Sequence, residues 1–334
     1  MAFYERRGEG DYLKTVNVTV NSELNKENPS QSDYAYSAIL PTDIQNVMSI
    51  VPISWNLPKN IVPSFWPPNG IIVGNDYLDF QVELGETSGG GGGGGSGIGI
   101  SRFSAGPYKF SVQLENRAFY AGADVPDDAN IADYLETEMN AAMDEEPDMD
   151  DFEMEVTYDN KSQRLRFTIT TSDPSAIMRM AFLFETGEHT DRACNAQLGF
   201  PDKRDYYSYR GDTFGFNYTN TIESIGYTDL LPFKYIDLIV RQSNKVPVKR
   251  IFLTNPNSFR VGTSGVTEEQ IQIDTDQPPS NLKKLDIYFL LPGGQDPRLY
   301  NHNPSVPNQF VFSILQFANE TPQKPSYVRQ TLTS

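Results

Sequence analysis

Phe152-Glu-Met-Glu-Val-Thr-Tyr158, then Asp-Asn-Lys-Ser-Gln, then Arg164-Leu-Arg-Phe-Thr-Ile-Thr170: two runs of alternating apolar and polar residues, joined by five polar ones. Successive side chains of a strand point to opposite faces, so each run reads as a strand with one buried face. Two such runs around an Asp/Asn loop predict a β-hairpin. Just upstream, residues 128–143 carry Ile131, Leu135 and Met139 four apart, the spacing that gathers them on one face of an α-helix. Asp127 or Asp128 stands where it can accept the free amides of the first turn. Downstream, the apolar run 177–184 leads to Asn195-Ala-Gln-Leu-Gly-Phe200.

Outward from this stretch the alternation continues. Strands are expected over 15–20, 33–41, 47–54, 77–84 and 107–114, and again over 235–241, 246–253, 269–274, 283–291 and 309–317, separated by Pro, Gly and Asn clusters. Residues 55–69 hold Pro58, Pro63, Pro67 and Pro68 among aromatics, and proline cannot donate to a ladder, so this is a packed loop or an edge. The run 88–99 is almost pure glycine and is followed by neither a helix nor a Lys-Ser/Thr pair, so it reads as a surface excursion and not a phosphate cradle. Short strands with one clear helix give a mostly-β architecture. The strand supply suits jelly-roll β-sandwiches, two in tandem, with the short amphipathic helix inserted in the first; a single larger barrel is the alternative. The expected division is a flexible arm 1–14, a first jelly roll 15–212, a second 213–320, and a C-terminal arm 321–334.

The order of helix, "TYDNKSQRLRFT" hairpin and "AQLGF" resembles a module of minor capsid and capsid-associated proteins, penton or vertex proteins among them, of large nucleocytoplasmic DNA viruses and virophages. Asp33 to Pro41 with Val47 to Ser54 resembles that family's opening strand pair, and 235–240, 285–291 and 310–314 resemble its closing strands. The resemblance spans most of residues 15–320. It implies a structural virion protein, made in the host cytoplasm, that binds the major capsid protein, other minor capsid proteins and its own copies to build or stabilise an icosahedral shell. The rival reading is a virion-surface attachment or carbohydrate-binding protein, since jelly rolls also serve as lectins.

Composition narrows the field. With 44 acidic against 27 basic residues the formal charge is -17, whereas a binder of nucleic-acid backbone needs a basic surface to displace counterions. No direct nucleic-acid contact is expected. No apolar stretch is long enough to span a membrane, and residues 1–14 lack a signal-peptide core. The single cysteine, Cys194, excludes an internal disulfide framework and reads as a small buried apolar residue.

Catalytic chemistry at neutral pH usually needs a titratable group or a metal, and the chain has two histidines, His189 and His302. His189, Asp191 and Cys194 lie close in sequence but lack a strained nucleophile turn or oxyanion donors around them. The acidic run from Asp144 to Glu155 lacks calcium-loop spacing and is interrupted by Pro147, so it reads as solvated charge. No catalytic, cofactor or metal residues are assigned, and the chain is read as no enzyme. The positive feature is aromatic supply, 18 Tyr and 20 Phe. Tyr206, Tyr207, Tyr209 and Tyr300, in polar surroundings, are the interface candidates, because a tyrosine offers rigid amphipathic contact area to proteins or sugars.

Overall fold

The computed structural model describes residues 4–7, 11–57, 61–86, 102–103, 107–122, 124–172, 176–212, 215–218, 220–231, 233–240, 247–253, 263–266, 280–301 and 306–318. Its strands, in chain order, are β1 (Tyr4–Arg7), β2 (Asp11–Asn21), β3 (Ala35–Leu57), β4 (Tyr77–Glu86), β5 (Arg102–Phe103), β6 (Tyr108–Gln113), β7 (Phe152–Asp159), β8 (Arg164–Thr171), β9 (Ala176–Phe182), β10 (Tyr206–Tyr207), β11 (Tyr209–Asp212), β12 (Gly215–Tyr218), β13 (Thr221–Glu223), β14 (Tyr235–Val240), β15 (Pro247–Phe252), β16 (Thr263–Val266), β17 (Ser280–Leu290) and β18 (Gln309–Ala318). Among the described residues one α-helix occurs, α1 (Ile131–Met143). The protein is mostly β. The glycine run, the expected strand 269–274, His302 and the arm 321–334 lie outside the described residues.

The expected hairpin forms, its strands paired from Phe152 opposite Thr171 to Asp159 opposite Arg164. Met154, Val156, Leu165, Phe167 and Ile169 are buried while Glu153, Glu155 and Arg166 face water, as alternation requires. In the turn the Asp159 carboxylate accepts from the backbone N–H of Lys161 at 2.9 Å and from the Ser162 hydroxyl at 2.7 Å, which lets Gln163 hold a φ of 57° before the return strand. Helix α1 begins later than expected. Asp127–Ala129 is a 3₁₀ turn, and the cap is Asn130, whose side chain accepts from the Ala132 N–H at 3.1 Å. The helix cannot start sooner because Tyr120 holds the preceding backbone extended, through Tyr120 N–H to Ala129 O and Ile131 N–H to Tyr120 O, both 2.9 Å. Ile131, Leu135 and Met139 are fully buried on one face, as the spacing predicts.

Helix α1, the sheet β13-β8-β7 and the sheet β10-β9-β4-β5, with β6 also on β4, enclose one hydrophobic core drawn from residues 65–230. Aromatic rings knit it together: Phe167 meets Phe182 edge-on at 4.7 Å, and Phe182 lies 5.4 Å from Phe200 of the AQLGF segment.

The second core is drawn from residues 18–66 and 236–314. It lines an eight-stranded sheet of order β1-β2-β18-β3-β17-β14-β15, with β16 also on β3. Strand β18 lies between β2 and β3, pairing with β2 from Gln309↔Asn21 to Ala318↔Tyr12, and it buries Phe310, Phe312 and Ile314 completely. Beside it a buried polar knot joins the two ends of the chain. Asn308 accepts from the Tyr36 hydroxyl at 2.7 Å and donates to the Asp33 carbonyl at 3.0 Å, while its N–H donates to the Ser22 hydroxyl at 3.0 Å and its carbonyl accepts from the Ser22 N–H at 2.9 Å. Burial pushes the Tyr36 hydroxyl far above the ordinary tyrosine range, so it stays a donor.

Three expectations need correction. The expected strands 33–41 and 47–54 are one 23-residue strand, β3. Its first half pairs with β17 and its second with β18, so the chain runs on through register shifts, with Asn46 at positive φ, where a turn would have freed it from one partner. The arm 1–14 contains β1 and the start of β2; backbone pairing recruits them although their side chains do not alternate. Finally, the division at residue 212 cuts across the large sheet, because β2 and β3 precede it and pair with β16, β17 and β18 beyond it. The chain is nested: its two ends build one body, and the middle builds the other.

Phe65 and Trp66 mark the crossing point, consecutive residues belonging to different cores. Around them Asn116 donates to the Phe65 carbonyl at 2.9 Å and to the Tyr300 carbonyl at 2.8 Å, and Ser64 accepts from the Phe119 N–H at 3.0 Å. Residues 61–66 of the proline and aromatic segment are thus a packed connector, whereas residues 55–57, expected in the same loop or edge, end the central strand β3, and residues 58–60 lie outside the described residues.

Candidate binding surfaces

Strand β4 turns Leu78, Phe80 and Val82 into the core, which places Asp79, Gln81 and Glu83 on the other face, where they are nevertheless buried. Each carboxylate is therefore paired. Asp79 accepts from the Ser111 hydroxyl at 2.7 Å, from the His189 backbone N–H at 2.6 Å, and meets His189 Nδ1 at 3.1 Å. Glu83 is bound by Arg179, and Asp76, 1% exposed, receives Arg192 through Nε at 2.9 Å and Nη2 at 2.6 Å. The His189 ring stacks on Tyr77 at 3.8 Å, with the Arg192 guanidinium 4.4 Å from the same ring. Gly187 permits this closure: a Cβ there would stand 2.4 Å from both Asp79 Oδ2 and the Leu183 carbonyl.

His189, Asp191 and Cys194 do share one loop, and what His189 does there is clamp that loop to β4. Cys194 is fully buried, its N–H donates to the Tyr77 carbonyl at 3.0 Å, and burial pushes its thiol far above the ordinary range, so it stays protonated. Around the acidic run, Asp144 to Glu146 follow the helix exposed, and Asp148 accepts from the Tyr108 hydroxyl at 2.7 Å. Among the described residues no group of three or more His, Cys, Asp or Glu is gathered to hold a metal ion, and no helix is long and apolar enough to cross a membrane.

The tyrosine candidates divide. Tyr206 is buried, its ring 4.7 Å from Phe200 and edge-on to Phe184 at 6.0 Å. Tyr300 is buried too, edge-on to Trp66 at 5.1 Å and to Phe233 at 4.9 Å, in the second core. Polar neighbours in sequence hid both, because the packing partners come from distant segments. Tyr207 alternates outward from Tyr206 and is 46% exposed. Tyr209 begins β11, and its side chain lies outside the described residues.

A cleft of about 470 Å³ opens where the AQLGF segment meets the hairpin turn. Residues 224–229 close it by bonding to both: Gly226 N–H to the Gly199 carbonyl at 2.8 Å, Thr228 N–H to the Gln163 carbonyl at 2.9 Å, and Asp229 N–H to the Gln197 carbonyl at 2.9 Å. Gly199, at φ 85°, is required, since a Cβ would stand 2.6 Å from the Gly226 carbonyl. Ala196, Gly199 and Pro201 contribute apolar lining, and Tyr227, 70% exposed, contributes an aromatic ring. Lys234 adds a cation that is bound to both Asp229 oxygens, 2.6 Å to Oδ1, and to the Leu231 carbonyl at 2.9 Å. None of Tyr227, Asp229 or Lys234 stood out in sequence; the one available signal was an aromatic flanked by Gly226 and Thr228 after a loop-like stretch.

No protein family matches the chain, and no curated protein matches it. Among solved structures the chain is similar to the mavirus penton protein, at 13% identity and a TM-score of 0.41, over 92% of this chain and 99% of that one.

Proposed function

We propose that this chain is a structural component of a viral shell: a non-catalytic minor capsid or vertex protein of a large double-stranded DNA virus or virophage, built as two jelly-roll-type bodies. The sequence resemblance over residues 33–54 and 127–200 supports the class. The observation that carries the non-catalytic reading is the use made of the reactive side chains: His189 is hydrogen-bonded to Asp79 and Arg192 to Asp76 in locking a loop to β4, and Cys194 is sealed in the core. Such groups are spent on rigidity. A mostly-β block whose two bodies are bridged by Asn116 acts by shape, so its partners are other capsid proteins, the major capsid protein among them, or its own copies, and its place is the virion.

Particles purified from cells that make this chain provide the test. Its recovery in the particle fraction at a fixed ratio to the major shell protein, and its fit into a particle map, are expected. Recovery only outside particles would overturn the assignment.

A further inference from the structure

We propose that the cleft beside Tyr227 binds a neutral sugar residue of a glycan. Three features point there, and none depends on the shell-protein reading. The first is shape: the cleft has the volume of a small-ligand pocket, and its walls are backbone-bonded to one another, so little ordering is needed on binding. The second is Tyr227, whose large ring is left mostly in water at the cleft although Gly226 and Thr228 on either side are tied down. An uncovered ring carried on a backbone that is fixed on both sides is a platform for a flat apolar face.

The third is the polar complement. Asp229 and Lys234 bring a carboxylate and an ammonium to the lining, fixed against each other, and Gln163 also lines the cleft. A sugar hydroxyl both donates and accepts, so it pairs with either member of an ion pair, while its ring C–H face covers the tyrosine. Charge argues against the alternatives. The pair is locally neutral, and the chain's net charge of -17 opposes phosphate or sialic acid, whereas Lys234 opposes a cation. An apolar peptide side chain would match the Ala196 and Pro201 lining but would take water from the ion pair and return no hydrogen bonds. A neutral hexose satisfies both halves of the site. The sequence offered Tyr206, Tyr207, Tyr209 and Tyr300 to proteins or sugars; the structure buries Tyr206 and Tyr300, leaves Tyr207 exposed, and places Tyr227 at the cleft.

The test is saturation-transfer NMR and calorimetry on the full chain with methyl glycosides of glucose, galactose, mannose, fucose and N-acetylglucosamine, and with N-acetylneuraminic acid. Saturable binding of at least one neutral glycoside is expected, with N-acetylneuraminic acid silent. Tyr227→Ala should weaken that binding by about tenfold or more, Tyr227→Phe should retain most of it, and Tyr207→Ala should leave it unchanged. The melting temperature of Tyr227→Ala, a surface change, should match the parent, which separates lost binding from lost fold. The proposal is overturned by no neutral glycoside binding at millimolar concentration, by binding that survives Tyr227→Ala, or by preference for the anionic sugar. A protein partner lost on Tyr227→Ala, with no glycoside bound, would also overturn it.

Discussion

Asn140 and Met154 exchange a reciprocal pair of hydrogen bonds: the Asn140 amide donates to the Met154 carbonyl at 2.8 Å, and the Met154 N–H donates to Asn140 Oδ1 at 2.7 Å. One helical turn earlier, Glu136 accepts from the Val156 N–H at 2.9 Å. Strand β7 is the outer strand of its sheet, so these contacts stand where a neighbouring strand would. The geometry matches because four helical residues rise about 6 Å and two strand residues about 6.6 Å. Helix α1 therefore does two jobs. Its apolar face fills the core, and its flanking polar pair closes an edge that would otherwise be open to strand addition.

Asn140→Ala should cost about 1–3 kcal/mol, because it strands a donor and an acceptor beside the buried Met154, and Glu136→Ala should cost a similar amount. Glu145→Ala, on the exposed run, should stay within about 0.5 kcal/mol. Urea unfolding midpoints of the three variants decide it. Three equal, small shifts would show that the edge contacts add nothing.

The helix face gives a larger effect. Leu135 is fully buried, so Leu135→Ala removes apolar contact and leaves a cavity, at about 2–5 kcal/mol. Denaturant curves with an unchanged slope would report it; a loss below about 1 kcal/mol would mean that the site collapses around the smaller side chain.

Removing Arg192 should be severe. Asp76 is almost completely buried and takes both arms of that guanidinium, so Arg192→Ala leaves a buried carboxylate short of its counter-charge, at about 3–5 kcal/mol. Adding Asp76→Asn should restore much of the loss, since the charge that needed a partner is gone. A double variant as unstable as Arg192→Ala would place the defect in lost packing on Tyr77.

The hairpin turn should be pH-sensitive in a defined direction. The Lys161 backbone N–H, followed by the Ser162 hydroxyl, holds the Asp159 carboxyl below its ordinary range. A group with a depressed folded-state pKa stabilises the fold above its unfolded value and loses that contribution as pH falls through the folded value. Asp159→Asn should therefore flatten the acid side of the stability profile below about pH 4, and leave the neutral-to-alkaline side parallel to the parent. An unchanged acid slope would mean that the turn does not sense the carboxylate.

Nesting of the two bodies predicts which fragments fold. Residues 64–231 contain almost the whole first core and should unfold cooperatively when made alone. Residues 15–212 should not form the second body, because they carry β2 and β3 without β17 and β18. Circular dichroism melts of the two fragments distinguish nesting from a tandem arrangement.

What the sequence determined by itself was local. The hairpin at 152–171, the buried stripe Ile131, Leu135 and Met139, the burial of Cys194 and the packing of the proline segment were all legible, since alternation and helical spacing state which face of an element is apolar. They do not state which element covers that face. Only the tertiary structure placed β18 between β2 and β3, so that strands almost three hundred residues apart share a sheet and the middle of the chain forms a separate core. The same gap explains Tyr206 and Tyr300, polar in sequence context and buried by Phe200 and Trp66. It explains the cleft as well: Gln163, Gly199 and Tyr227 come from three segments, and the backbone hydrogen bonds that bring them together leave no periodicity for a sequence to display.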